Sequence, residues 1–215
     1  APGRARPPLA SDSPSEPSPG DIVEQYNIAE VNEAVAAANP DRPAIITPDR
    51  NLTYAELTAR TRRFADALHQ RGFGAHTERA ELAGHESGQD HLAIYLHNGP
   101  EYIESMLGAF KARVAPFNVN YRYVAEELRY LLDNAKARIV VFHDAFAPTL
   151  AEVLPDLPEI ALLVQVPDDS GNDLLPGAVR YDDLLAEGSE DPVPVQLSPD
   201  DLHILYTGGT TGMPK

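Results

Sequence analysis

The chain has 215 residues, 43% hydrophobic and 23% charged, enough for one generous domain with a sizeable core. Lysine and arginine number 17 against 33 aspartates and glutamates, a net charge of -16 that repels phosphate backbones and excludes nucleic acid as a natural partner. With no cysteine there is no disulfide framework, zinc ribbon or thiol nucleophile, and no apolar run is long enough for a membrane span or the core of a signal peptide.

Residues 1–20 carry six prolines, four serines and almost no large apolar side chain, so they read as a disordered tail ahead of a domain over 21–215. Asn27 with Glu30 three residues on is a helix N-cap, and Ile28, Val31 and Val35 follow at helical spacing until Asn39-Pro40-Asp41 stops them. A strand over 44–46 and a turn over 47–51 lead to a second helix. Its start is a capping box of Thr53 and Glu56, and Leu57, Phe64 and Leu68 form its buried stripe up to Gly72. The stretch 74–89 is polar and reads as a surface loop. His85, His91 and His97 stand six residues apart, which fits neither one helix face nor a zinc-ligand spacing, so they and His76 are read as loop and strand residues rather than ligands.

A strand over 91–96 turns at Asn98-Gly99-Pro100 into a helix with Ile103, Met106, Leu107 and Phe110 on one face, and 111–120 runs on extended. Further helices are expected over 125–135, 148–154 and 181–185, and strands over 139–142 and 160–166. A linker over 192–199 approaches a last strand over 202–206. Tyr121, Tyr123 and Tyr130 read as half-buried packing residues with wet hydroxyls in preference to rings stacked on an adenine. Continuous apolar strands separated by helices make this an α/β fold with a mainly parallel sheet flanked by helices.

The last ten residues hold the chemistry. Tyr206-Thr207-Gly208-Gly209-Thr210-Thr211-Gly212-Met213-Pro214-Lys215 follows the apolar run with no acidic residue, and Lys215 is one of only three lysines. Glycines let backbone N–H groups turn toward an anion, threonine hydroxyls add donors, and the lysine adds a point charge. The combination suits a polyphosphate. It is not the GxxxxGK[ST] loop of P-loop nucleotide hydrolases, because the lysine lies three residues after Gly212 and no Ser or Thr follows it.

These residues closely resemble the [YW]TSGTTGxPK signature of adenylate-forming enzymes, with Gly208 where serine is usual. Two earlier runs agree in order: Leu52-Thr53-Tyr54-Ala55-Glu56-Leu57 resembles their L[TS]YxEL, and Lys111 to Asn120 resembles KxGxVxxPxN, with Arg113 replacing glycine and so implying a local backbone difference. The likeness runs from Leu52 to Lys215 and is nearest to actinobacterial acyl-CoA synthetases of the fatty-acyl and steroid side-chain type. It implies the first part of the large N-terminal domain of the adenylate-forming fold, truncated at the phosphate loop, with the C-terminal domain absent. The implied enzyme is an ATP-dependent acid–thiol ligase using ATP, magnesium and coenzyme A on a fatty or steroid carboxylic acid. A cytoplasmic place follows from that reading, with peripheral membrane contact and oligomeric state left open. Thr207, Gly208, Gly209, Thr210, Thr211, Gly212 and Lys215 are assigned to the ATP phosphates. No catalytic residue and no metal ligand is assigned within 1–215, since the resemblance places the ribose-binding aspartate, the acyl and adenine pockets and the C-terminal lysine beyond Lys215. The chain is therefore expected to be an inactive fragment of the ligase; the alternative is a non-catalytic remnant or interaction module keeping half of the fold.

Overall fold

A computed structural model describes residues 25–48 and 50–207. Helix α1 (Ile28–Ala38) starts at Asn27, whose side chain accepts from the Ala29 N–H while its own N–H donates to Glu30. Strands β1 (Pro43–Ile46) and β2 (Asn51–Thr53) form an antiparallel hairpin, closed where the Thr47 N–H donates to the Arg50 carbonyl. Helix α2 (Tyr54–Gln70) opens on the capping box, with the Glu56 N–H donating to the Thr53 hydroxyl and the Thr53 N–H to the Glu56 carboxylate. The polar stretch that follows holds one 3-10 turn at Arg79–Glu81.

The sheet then forms from β3 (His91–Tyr95), β4 (Ala115–Asn118), β5 (Ala137–His143), β6 (Leu162–Val166) and β7 (Ala178–Arg180), in spatial order β4-β3-β5-β6-β7 and parallel throughout. Its helices are α3 (Pro100–Lys111), α4 (Ala125–Asn134), α5 (Ala147–Val153) and α6 (Tyr181–Glu187). Both sheet faces are covered, so the strands are apolar on both sides. One core packs Leu92, Ile94, Val141 and Val164 against Phe64, Leu68, Ala109 and Leu184, from α2, α3 and α6. The other packs Tyr95, Phe117, Val140 and Phe142 against Leu128, Leu131, Leu132 and Leu150, from α4 and α5.

Three expectations change. The apolar residues of α1 point outward: Ile28, Val31 and Val35 are exposed, and the helix instead buries Ala29 and Ala36. Its placement is fixed by charge, because Glu33 bonds both Arg62 of α2 and Lys111 of α3. Burial pushes the Glu33 carboxyl up, but the hydrogen bonds from Arg62 and Lys111 outweigh it and hold it below the usual range. Strand β7 joins the sheet at a place the sequence does not mark. Finally, Arg113 takes the left-handed conformation that glycine favours, with φ 57°.

Candidate functional site

The approach to the loop is anchored at its base. Ser198 and Asp201 are held by Asn27, whose side-chain amide donates to the Ser198 carbonyl at 2.8 Å and to the Asp201 carboxylate at 2.9 Å. The residue that caps α1 thus also ties down the far end of the chain. Beyond it, 202–206 is not the strand expected from its apolar character. Ile204 alone bridges to Phe117 in a parallel sense, its N–H donating to the Pro116 carbonyl at 3.1 Å. Extending that ladder back to Leu202 would require an N–H from Pro116, which proline lacks. The Leu202 N–H donates instead to the Gln89 side chain at 2.7 Å.

Contacts alternate along this segment. Ile204 and Tyr206 pack toward the α4 side of the sheet, and the His203 ring meets Phe110 of α3 edge-on. The Tyr206 hydroxyl donates to Asn134 at 2.6 Å in the last turn of α4, three residues before β5 begins. Of the residues assigned to phosphate, Thr207 is described and lies in neither helix nor strand. Gly208, Gly209, Thr210, Thr211, Gly212 and Lys215 lie outside the described residues.

A second feature was missed in the sequence. The chain goes from β3 outward to β4 by way of α3, then returns past β3 to β5 by way of α4, which packs on the opposite face. That reversal makes a switch point between β3 and β5, and ligands of open α/β sheets bind in the crevice at the carboxyl ends of such strands. There the His97 N–H donates to His143 Nδ1 at 3.0 Å and the two rings stack at 5.5 Å. Tyr121 stands 5.0 Å from the His97 ring, Phe146 4.8 Å from it, and the Arg122 guanidinium lies over Tyr121. The loops after β3 and β4 and the last residue of β5 thus present flat rings at one end of the sheet. The rings belong to residues 97, 121 and 143, and only strand order brings them together. Asp144, next to His143, is buried and paired with Arg180 at 2.5 Å, while the Gln165 amide donates to it at 2.6 Å. The loop after β5 is pinned by that pair. The structure does not join this crevice to the end of the described chain, since Tyr206 is held near the start of β5 and His143 is at its finish.

A family model described as AMP-binding enzyme matches residues 32–215. The chain is 55% identical over 195 residues to the medium-chain acyl-CoA ligase Mig of Mycobacterium avium, a match covering 91% of this chain and 36% of that protein. It is 38% identical over 194 residues to a medium/long-chain-fatty-acid–CoA/3-oxocholest-4-en-26-oate–CoA ligase of Mycobacterium marinum, covering 88% and 33%. Among solved structures, an anthranilate CoA ligase in complex with anthranoyl-AMP is similar with a TM-score of 0.74 at 21% identity, over 88% of this chain and 34% of that one. The chain spans about a third of the length of the curated relatives it matches.

Proposed function

Because the chain belongs to the AMP-binding enzyme family, we propose that it supplies the N-terminal part of an acyl-CoA ligase that activates a fatty acid with ATP. The 55% identity to a medium-chain ligase favours a medium-chain acid over a steroid one. In the first half-reaction a carboxylate oxygen attacks the α-phosphorus of ATP and pyrophosphate leaves. In the second, the thiol of coenzyme A attacks the acyl carbon and AMP leaves. The substrate carboxylate is already ionised, so the first step needs no general base.

The observation that carries this reading is the run 206–215 itself, which the family match includes to its last residue. Charge gathers on the pyrophosphate as the bond breaks. Donors already aimed at it stabilise the transition state without reorganising. We assign the backbone N–H groups of Gly208, Gly209 and Gly212, the hydroxyls of Thr207, Thr210 and Thr211, and the ammonium of Lys215 to that work. Among the described residues no group of three or more His, Asp or Glu could hold an ion, and magnesium enters here as part of the ATP substrate. A free-standing interaction module would have no use for this loop chemistry, and that alternative is not favoured.

The test is carboxylate-dependent ATP–pyrophosphate exchange in the full-length ligase. Thr210→Ala or Lys215→Ala is expected to remove about 2 to 4 kcal/mol of transition-state stabilisation, the order of one pre-positioned donor. Exchange at the parental rate in both variants would refute the assignment. A panel of medium-chain, long-chain and steroid acids then fixes the substrate class.

A further inference from the structure

Helices α2 and α3 finish with the same backbone motif but different residues. After α2 the left-handed position is Gly72, φ 81°, with the Phe73 N–H donating to the Leu68 carbonyl and the Gly72 N–H to that of His69. After α3 it is Arg113, φ 57°, with the Val114 N–H donating to the Ala109 carbonyl and the Arg113 N–H to that of Phe110. Glycine fills this position without strain, whereas any side chain there crowds the backbone. The strain at α3 is accompanied by a set of contacts that glycine could not make.

The Arg113 side chain is only 11% exposed and lies between two carboxylates. Nη1 and Nη2 donate to the two Glu78 oxygens at 2.7 and 2.9 Å. Nε and Nη2 donate to Asp201 Oδ1 at 3.1 and 3.0 Å. The Arg113 carbonyl accepts from the Gln89 amide at 2.8 Å, and the same Gln89 accepts the Leu202 N–H. One residue therefore holds positions 201 and 202 at once, through its guanidinium and through its carbonyl. A cavity of about 20 Å³ among Glu78, Gln89, Arg113 and Asp201 has room for a single water. Two carboxylates against one guanidinium leave no free positive charge for a phosphate, so the cluster acts by geometry.

We propose that Arg113 is a positioning residue, which from the end of α3 fixes how residues 201–206 leave the sheet toward the threonine- and glycine-rich loop. The inference rests on that loop binding the ATP phosphates, as proposed above.

Arg113→Gly relieves the backbone but leaves the Asp201 carboxylate, 3% exposed, without its guanidinium, so its thermal midpoint is expected to fall. Positioning is read locally: hydrogen exchange at the Asp201, Leu202 and Ile204 amides should quicken about tenfold more than at the β5 amides. In the full-length ligase, kcat/KM for ATP should fall about tenfold with KM for the acid within about twofold. Arg113→Lys, which keeps the charge but not the fork, should recover only part of both. Exchange at all three amides quickened no more than at the β5 amides overturns the clamp, and locally quickened amides with parental ATP kinetics overturn the positioning role. If the parent shows no carboxylate-dependent activity, the phosphate-loop reading fails, and amide exchange still decides the clamp. Should Arg113→Gly fail to fold, Gln89→Met cuts the link to Leu202 and leaves the α3 cap intact, with the same amide expectation.

Discussion

His143 shows how one ring reports its surroundings. Its Nδ1 accepts a backbone N–H from His97, so in the folded crevice that nitrogen carries no proton. Burial pulls the His143 pKa below its ordinary 6.5; Asp168 pushes back and His97 adds to the lowering, leaving it depressed. Between the folded value and 6.5 the unfolded chain binds more protons than the folded one. Stability therefore falls as pH drops from 6.5 through that window and levels off below it. His143→Asn keeps an acceptor toward the His97 N–H but cannot titrate. Its thermal midpoint is expected to lose less than the parent's on acidification from pH 6.5, and parallel curves for the two proteins would show that His143 does not contribute. Asp168 works in the same direction over a lower range. Burial raises its carboxyl, but hydrogen bonds from Ser170 and Ala145 outweigh this and lower it, so its contribution is present above the ordinary 3.8 and lost as pH falls below.

At the scale of elements, α2 and α3 are joined by contact and by charge. A Cβ on Gly108 of α3 would stand 2.7 Å from the Phe64 ring of α2, so the close approach of the two helices requires glycine there. Glu104 of α3 is fully buried and accepts from Arg60 Nε of α2 at 2.7 Å. Arg60→Ala leaves that carboxylate buried without its main partner, a change that typically costs about 3 to 5 kcal/mol. Because Arg60 is itself 21% exposed, the lower end is expected in urea unfolding, and Arg60→Leu combined with Glu104→Leu should regain much of it. A loss for Arg60→Ala no larger than for an exposed pair would mean that water reaches Glu104. What the sequence made legible in these elements was local: both capping boxes, the apolar runs of β3, β5 and β6, and the α2 and α4 stripes depend on residues within one turn or one strand. The rest depended on neighbours far along the chain. Residues 202–206 look like a strand, but the missing N–H of Pro116 across from them ends the ladder. Strand β7 is three half-buried residues that gain their place from β6. The apolar side of α1 faces out because Glu33 orients the helix from its other side. The rings at the switch point lie 46 residues apart in sequence for His97 and His143, so strand order alone reveals them. The run 206–215 stands out in the sequence by its residue types and spacing, and its assignment to phosphate is the proposal made above.

The whole chain carries a sheet with a core on each face, so residues 1–215 are expected to hold their fold without supplying the activity. Adenylation requires the carboxylate and the α-phosphorus to be held at near-attack distance, and such proximity lowers a barrier by roughly 7 to 11 kcal/mol when fully realised. The chain spans about a third of the length of its curated relatives, and the groups assigned here reach only the leaving phosphates. Purified 1–215 is therefore expected to bind ATP weakly and to form no acyl-CoA. The measurement is release of pyrophosphate and AMP with ATP, magnesium, coenzyme A and a panel of medium-chain, long-chain and steroid acids, set against Lys215→Ala. Carboxylate-dependent release above that control would place the acid and the α-phosphate within these 215 residues. The rings of His97, Tyr121 and His143 at the switch point would then be the first place to look for the acid, because ligands of open α/β sheets bind at the carboxyl ends of such strands.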